Sequence, residues 1–215
     1  MYRHLIFDID GTLLDTEQTG MRSLGQTIFE FTGKKLKHEE LLPYFGLPSA
    51  KASQIIGLKD AKKFAEVWET HFQELMYLVT IFPGVEDFLR RLKAEGCFIG
   101  VVTSRSRVEF NYDPNLRKLS PYFDCTVCSD DTPRPKPFPD PVLAYMEKMS
   151  ASKEECLYLG DTEHDCSCAH SAGVDFALAD WKHRGWQGIP AEYKFSEISE
   201  IEKIIWETRT NERPQ

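Results

Sequence analysis

FDIDGTLLD, Phe7 to Asp15, is the stretch that decides how this chain is read. The apolar run Leu5-Ile6-Phe7 leads into Asp8, the stretch Leu5 to Ile9 reads as a buried strand, and Gly11-Thr12 breaks it at once. Residues two apart on a strand share a face, so Asp8 and Asp10 leave its carboxyl end toward the same side. Open α/β sheets bind their ligands at that edge. Two carboxylates so close in a cleft repel unless a cation stands between them or one keeps its proton. The expectation is a metal-assisted site. A lone DxD after a strand can equally be a solvated turn with capping carboxylates, so the rest of the chain must separate the two.

Working outward, residues 16–81 carry a helical period with no convincing strand. Leu24, Ile28 and Phe31 share a face that Gly33 can end. Leu41, Leu42 and Phe45 suggest a short second helix, broken by Gly46-Leu47-Pro48, and Ser49 can cap a third. Phe64, Val67, Trp68, Phe72 and Leu75 form a strong stripe. From Phe82-Pro83-Gly84 onward helices and strands alternate. Val85, Phe88, Leu89 and Leu92 line a helix ended by Gly96, and Cys97–Val102, Phe123–Cys128, Cys156–Leu159 and Val174–Ala179 read as strands. Between them lie a helix over Pro139–Met149, with Val142, Leu143 and Met146 inward, and one closing at Gly173. Ser199 with Glu202 resembles a capping box before a last helix. The expected fold is an α/β doubly wound parallel sheet, residues 1–15 and 82–215, with an inserted helical bundle, residues 16–81.

Composition narrows the function. A net charge of -8 argues against nucleic acid and anionic membrane surfaces. No apolar run reaches the ~20 residues of a membrane span, and the amino terminus enters the DxD strand without a signal peptide, so a cytoplasmic protein is expected. No protein partner is identifiable. The six cysteines include Cys125/Cys128 and Cys166/Cys168, the latter flanked by His164 and His170. Zinc is conceivable there, but buried thiols acting as small hydrophobes account for them as well.

Four of the five strands end in a polar cluster: Asp8 and Asp10, Thr103-Ser104, Ser129 to Asp131, then Asp161 and Asp165. With these in hand, the sequence resembles a haloacid dehalogenase-superfamily hydrolase of the phosphoglycolate phosphatase-like and β-phosphoglucomutase-like subgroup. The resemblance runs through nearly the whole chain. It rests on Asp8-Ile9-Asp10-Gly11-Thr12, Thr103 in VVTSRS, Lys136 in RPKPFPDP and Gly160-Asp161-Thr162-Glu163-His164-Asp165, in order. It implies that Asp8 is the nucleophile forming an aspartyl-phosphate, Asp10 the general acid and base, and Lys136 a charge-neutralising group, with Arg134 as nearby rival. It implies that Thr103 and the Ser104 N–H hold phosphoryl oxygens. Mg²⁺ would be bound by Asp8, the Asp10 carbonyl, Asp161 and, directly or through water, Asp165.

In such a protein the helical insertion is a cap, which favours a small phosphorylated metabolite as substrate. Gly20 and Phe82-Pro83-Gly84 are candidate hinges, and Lys51 is a candidate contact to an anionic substrate. His38 and His71 read as surface residues, and Trp181 and Trp186 as packed under a long loop. The reading is a Mg²⁺-dependent phosphatase. A sugar-phosphate phosphomutase uses the same residues, and a non-catalytic phosphate-binding protein on this fold is the alternative from another class.

Overall fold

The strand predicted at Leu5 to Ile9 lies at the heart of the protein, though it ends two residues sooner, in a computed structural model that describes residues 2–44, 49–183, 188–202 and 204. It is β1 (His4–Phe7), and all four of its residues are buried. Helical and extended segments then follow in the order β2 (Leu14–Asp15), α1 (Glu17–Thr32), α2 (His38–Leu41), α3 (Ser49–Ile56), α4 (Ala61–Glu74), β3 (Thr80–Ile81) and α5 (Val85–Ala94). Next come β4 (Phe98–Val102), α6 (Arg107–Tyr112), α7 (Pro114–Leu119), β5 (Cys125–Val127), α8 (Asp140–Met149), β6 (Cys156–Gly160), α9 (Glu163–Ala172), β7 (Asp175–Ala179) and β8 (Tyr193–Phe195).

The chain divides into two compact units, Met1–Leu14 with Ile81–Gln215, and Asp15–Thr80. The first holds a six-stranded sheet in the order β5-β4-β1-β6-β7-β8, each neighbouring pair parallel. This is the α/β doubly wound parallel fold expected from alternating strands and helices. Register aligns the strand ends that carry the polar residues. Phe7 pairs with Val101 on one side and with Leu159 on the other, so Asp8, Thr103 and Asp161 leave the same edge within a residue or two of one level. One sheet face carries Ile6, Val102, Tyr158 and Phe176 against Val142 and Tyr145 of α8 and Cys166, Cys168 and Ala169 of α9. On the other, Phe7 meets Phe88 of α5 edge-on at 6.2 Å.

The second unit packs Met21, Leu24 and Ile28 of α1 against Leu41, Ala52 and Phe64. Gly33 ends α1 with φ 67°, its N–H donating to the Phe29 carbonyl, a left-handed cap that a Cβ would strain. Connecting strands β2 and β3 pair as a two-stranded ribbon. Among the described residues no helix is long and apolar enough to cross a membrane.

Several expectations need correction. The sheet has a sixth strand, β8, which the sequence hides because Tyr193-Lys194-Phe195 is short and carries a lysine on an edge. Leu143 is exposed, and Tyr145 takes the inward position: Val142 and Tyr145 share one helical face, and the absent side chain of Gly100 makes room for the ring. Gly20 is no free hinge, since its N–H donates to the Thr16 carbonyl at 2.8 Å inside α1. The half-buried His71 ring contacts Thr27 Oγ1 at 3.0 Å and Glu30 at 3.3 Å instead of lying on the open surface. Glu200, not the Ser199–Glu202 pair, caps the start of the last helical segment, accepting from the Ser196 N–H at 2.7 Å and the Glu197 N–H at 3.3 Å. Phe45, the Gly46-Leu47-Pro48 break, Trp186 and Ile205 lie outside the described residues.

Candidate active site

Asp8 follows the last residue of β1, and its N–H donates to the Leu159 carbonyl at 2.8 Å, locking it to the end of β6. The chain then reverses sharply. Gly11 adopts φ 84°, and its N–H donates to the Leu14 carbonyl at 2.8 Å. Only glycine suits this turn: a Cβ there would lie 2.1 Å from Asp161 Oδ2. Trp181 braces the same turn, its indole N–H donating to the Thr12 carbonyl at 2.9 Å.

Lys136 reaches into the edge from the loop before α8. Its ammonium donates to Asp8 Oδ1 at 2.7 Å and Asp165 Oδ1 at 2.6 Å, and all three side chains are nearly or fully buried. Arg134, the rival cation two residues earlier, turns outward, donating through Nε and Nη2 to Asp140 at 3.0 and 2.8 Å. Burial opposes the Lys136 charge, but Asp165 and Asp8 overcome that and raise it above the usual lysine value. Burial also dominates at Asp8. It pushes that carboxyl up to about 7, with Asp165 and Asp10 adding to the rise and Lys136 pulling against it.

Asp165 is held from every side. Oδ1 accepts from Lys136 and lies 3.1 Å from the Tyr158 hydroxyl, while Oδ2 accepts from the Thr162 N–H at 3.0 Å and the Thr162 hydroxyl at 2.5 Å. Thr162 in turn caps α9, accepting from the Asp165 N–H at 3.3 Å. Gly160 is needed beneath this cluster, for a Cβ would stand 2.5 Å from the Asp165 Cβ.

Thr103 is buried at the end of β4, its N–H donating to the Val127 carbonyl at 3.1 Å and its Oγ1 accepting the Arg105 N–H at 3.1 Å. Ser104 is exposed beside it. Lys51 belongs to the other unit, exposed on α3. Two residues outside the expected set join the cluster. The Arg105 guanidinium donates to both oxygens of Asp10 at 2.8 and 2.7 Å and to Asp113 Oδ2 at 2.8 Å. A basic residue two positions past Thr103 was the available signal, but nothing local marks its partner 95 residues away in sequence.

The donor set suits a hard divalent cation. One carboxylate oxygen from each of Asp8, Asp161 and Asp165 lies within 4.8 Å of the others, and all three residues are buried. Buried carboxylates in excess of the bridging ammonium, and a cradle at Gly11 shaped around Asp161, fit Mg²⁺ better than a soft metal. Asp165 is the least available of the three, because both its oxygens already accept two bonds or close contacts. The thiols stand apart from this chemistry: five of the six free cysteines are buried, and burial pushes Cys166 and Cys128 up to about 11.

Comparison with known proteins supplies the family. Residues 5–179 match the model of the haloacid dehalogenase-like hydrolase family. The chain is 33% identical over 211 residues to a protein named "Putative pyrophosphatase PpaX" from Caldanaerobacter subterraneus, across 94% of this chain and 93% of that one. It is 30% identical over 213 residues to pyrophosphatase PpaX of Bacillus cereus, across 94% and 95%. A crystal structure of a "putative phosphoglycolate phosphatase" from Lactobacillus plantarum superposes with a TM-score of 0.87 at 25% identity, covering 95% of this chain and 99% of that one. The chain therefore belongs to the haloacid dehalogenase-like hydrolases and is a phosphatase of that family.

Proposed function

We propose that this protein is a Mg²⁺-dependent phosphatase of small phosphorylated metabolites, acting through an aspartyl-phosphate on Asp8. The observation that carries this reading is the buried Lys136 ammonium shared by Asp8 and Asp165, with Asp161 against Gly11 beside them. Pyrophosphate heads the substrates to test, because PpaX pyrophosphatases are similar along most of the chain. 2-Phosphoglycolate follows, from the structural likeness at 25% identity.

Asp8, Asp161 and the Asp10 carbonyl would hold the metal, with Asp165 orienting the set through Lys136. When bound, it supplies the positive charge that lets an anionic phosphoryl group approach an anionic nucleophile. An Asp8 oxygen forms the bond to phosphorus as the bond to the leaving oxygen breaks, and Asp10 gives that oxygen its proton. Water then attacks the phosphoryl group, Asp10 takes its proton, and the Asp8–phosphorus link opens. Lys136 neutralises charge on Asp8 throughout. By accepting from Arg105, Thr103 keeps its own hydroxyl proton for a phosphoryl oxygen, joined by the Ser104 N–H. On the family resemblance the helical unit is the cap that selects substrate, and Lys51 is its candidate anion contact.

The test is phosphate release from pyrophosphate, 2-phosphoglycolate and a panel of sugar phosphates, with Mg²⁺ and with chelator. Mg²⁺-dependent release that disappears in Asp8→Asn is expected. Turnover in chelator, or an active Asp8→Asn, overturns the reading, and an isomerised sugar phosphate in place of free phosphate points to a mutase.

A further inference from the structure

Asp10 presents a problem of aim. Its side chain is 37% exposed, and an unrestrained aspartate there would sample several rotamers. A group that must give a proton to one oxygen and later take one from water has to point at nearly the same spot twice.

The restraint comes from behind. Arg105 Nε and Nη2 donate to Asp10 Oδ2 at 2.8 Å and Oδ1 at 2.7 Å, a two-pronged fork that fixes the plane of the carboxylate as well as its distance. Arg105 is itself immobile. Its side chain is 9% exposed, and its Nη1 donates to Asp113 Oδ2 at 2.8 Å. Asp113 is fully buried and caps α7, its Oδ1 accepting the Asn115 N–H at 2.8 Å. The backbone of Arg105 is tied as well, its N–H to Thr103 Oγ1 at 3.1 Å and its carbonyl accepting the Ser129 N–H at 2.9 Å. The relay thus runs from a helix cap through Asp113 and Arg105 to Asp10, and every link but the last is buried.

We propose that Arg105 is the positioning residue for Asp10, aiming its carboxylate for both proton transfers, with Asp113 as the anchor. The inference rests on the reading of Asp10 as general acid and base. Arg105 forms no bond to phosphorus and moves no proton. It acts only through the residue it holds. A plain structural ion pair would stabilise the fold without caring what Asp10 does, and kinetics can separate the two.

The experiment measures kcat and KM, on the best substrate of the panel with Mg²⁺, for Arg105→Met, Arg105→Lys, Asp113→Asn, Asp10→Asn and the double variant Asp10→Asn/Arg105→Met, with a melting curve for each. Misplacing a general acid–base group forfeits much of its contribution of about 10²–10⁴-fold. Arg105→Met should therefore lower kcat roughly 10²-fold with KM within about threefold. Arg105→Lys, a single donor in place of a fork, should recover part of the loss. Asp113→Asn keeps the α7 cap and loosens only the anchor, so it should fall between Arg105→Lys and the parent. If Arg105→Met does not fold, these two conservative variants carry the same test. The decisive figure is the double variant, which should be no slower than Asp10→Asn alone. Losses that multiply in the double variant, or an Arg105→Met with the parent's kcat, overturn the positioning role while leaving Asp10 in place. An Asp10→Asn as fast as the parent instead removes the acid–base reading on which this one rests.

Discussion

The Lys136 ammonium stands 2.7 Å from Asp8, so the proposed nucleophile is paired with a cation inside the protein. The same ammonium, 2.6 Å from Asp165, joins the end of β1 to the start of α9. Lys136→Met removes one charge and strands two buried carboxylates. Breaking a buried pair from one side costs about 3–5 kcal/mol. Phosphate release should fall below detection, and unfolding in urea should show the loss. Without Lys136 the Asp8 carboxyl rises further, so the folded variant gains protons that the unfolded chain lacks, and its deficit is largest near pH 8 and shrinks toward pH 5. A deficit independent of pH would mean that Lys136 does not stabilise the Asp8 carboxylate.

Metal affinity should follow the same carboxyl. Asp8 sits at about 7 against an ordinary value of 3.8. Between those values the folded, metal-free protein holds a proton that the unfolded chain has lost, so this group makes stability fall as pH rises through the window. Below about 7 a divalent ion must displace that proton, which costs up to about tenfold in affinity per pH unit. The rise in melting temperature with millimolar MgCl₂ should be clearly larger near pH 8 than near pH 6. An equal rise at both would remove Asp8 from the metal's ligands.

Gly11→Ala tests the cradle. The new Cβ would sit 2.1 Å from Asp161 Oδ2, at a φ of 84° that L residues rarely adopt. Left-handed backbone costs roughly 1–2 kcal/mol, which the sheet can absorb, whereas Asp161 must move. Circular dichroism should stay near that of the parent while the MgCl₂-induced melting shift and phosphate release are both lost. A variant that keeps its magnesium response would place Asp161 outside the metal's reach.

Away from the chemistry, Gly100 and Tyr145 make a packing pair. A Cβ at Gly100 would be 2.3 Å from Tyr145 Cε2, in the middle of β4. Gly100→Ala should destabilise by about 1–3 kcal/mol through overpacking. In a Tyr145→Leu background the same change should cost at least about 1 kcal/mol less, read from denaturant midpoints in a double-mutant cycle. Additive losses would show that the ring is not the obstacle.

The alternation of elements and the polar residues that end four of the strands follow from the order of residues alone, because burial on both faces leaves continuous apolar runs that stop at the sheet edge. Asp8 and Thr103 were legible for that reason, each following directly on such a run, and Asp161 one glycine after another. β8 was not, since three residues on a polar edge carry no periodicity. Pairing between distant residues had to wait for the fold. Lys136 and Arg134 lie two apart in one proline-rich loop, and nothing local says which turns inward; packing sends Lys136 to Asp8 and Arg134 to Asp140. Asp165 reads in sequence as a metal ligand, directly or through water, and only the fold shows that its oxygens also accept from Lys136, Tyr158 and Thr162. Arg105 offered only its place two positions past Thr103, with nothing to name its partners. A guanidinium becomes a clamp only when the fold brings a carboxylate to each side of it, and that depends on where β1 and β4 lie in the sheet, not on the residues beside it in the chain.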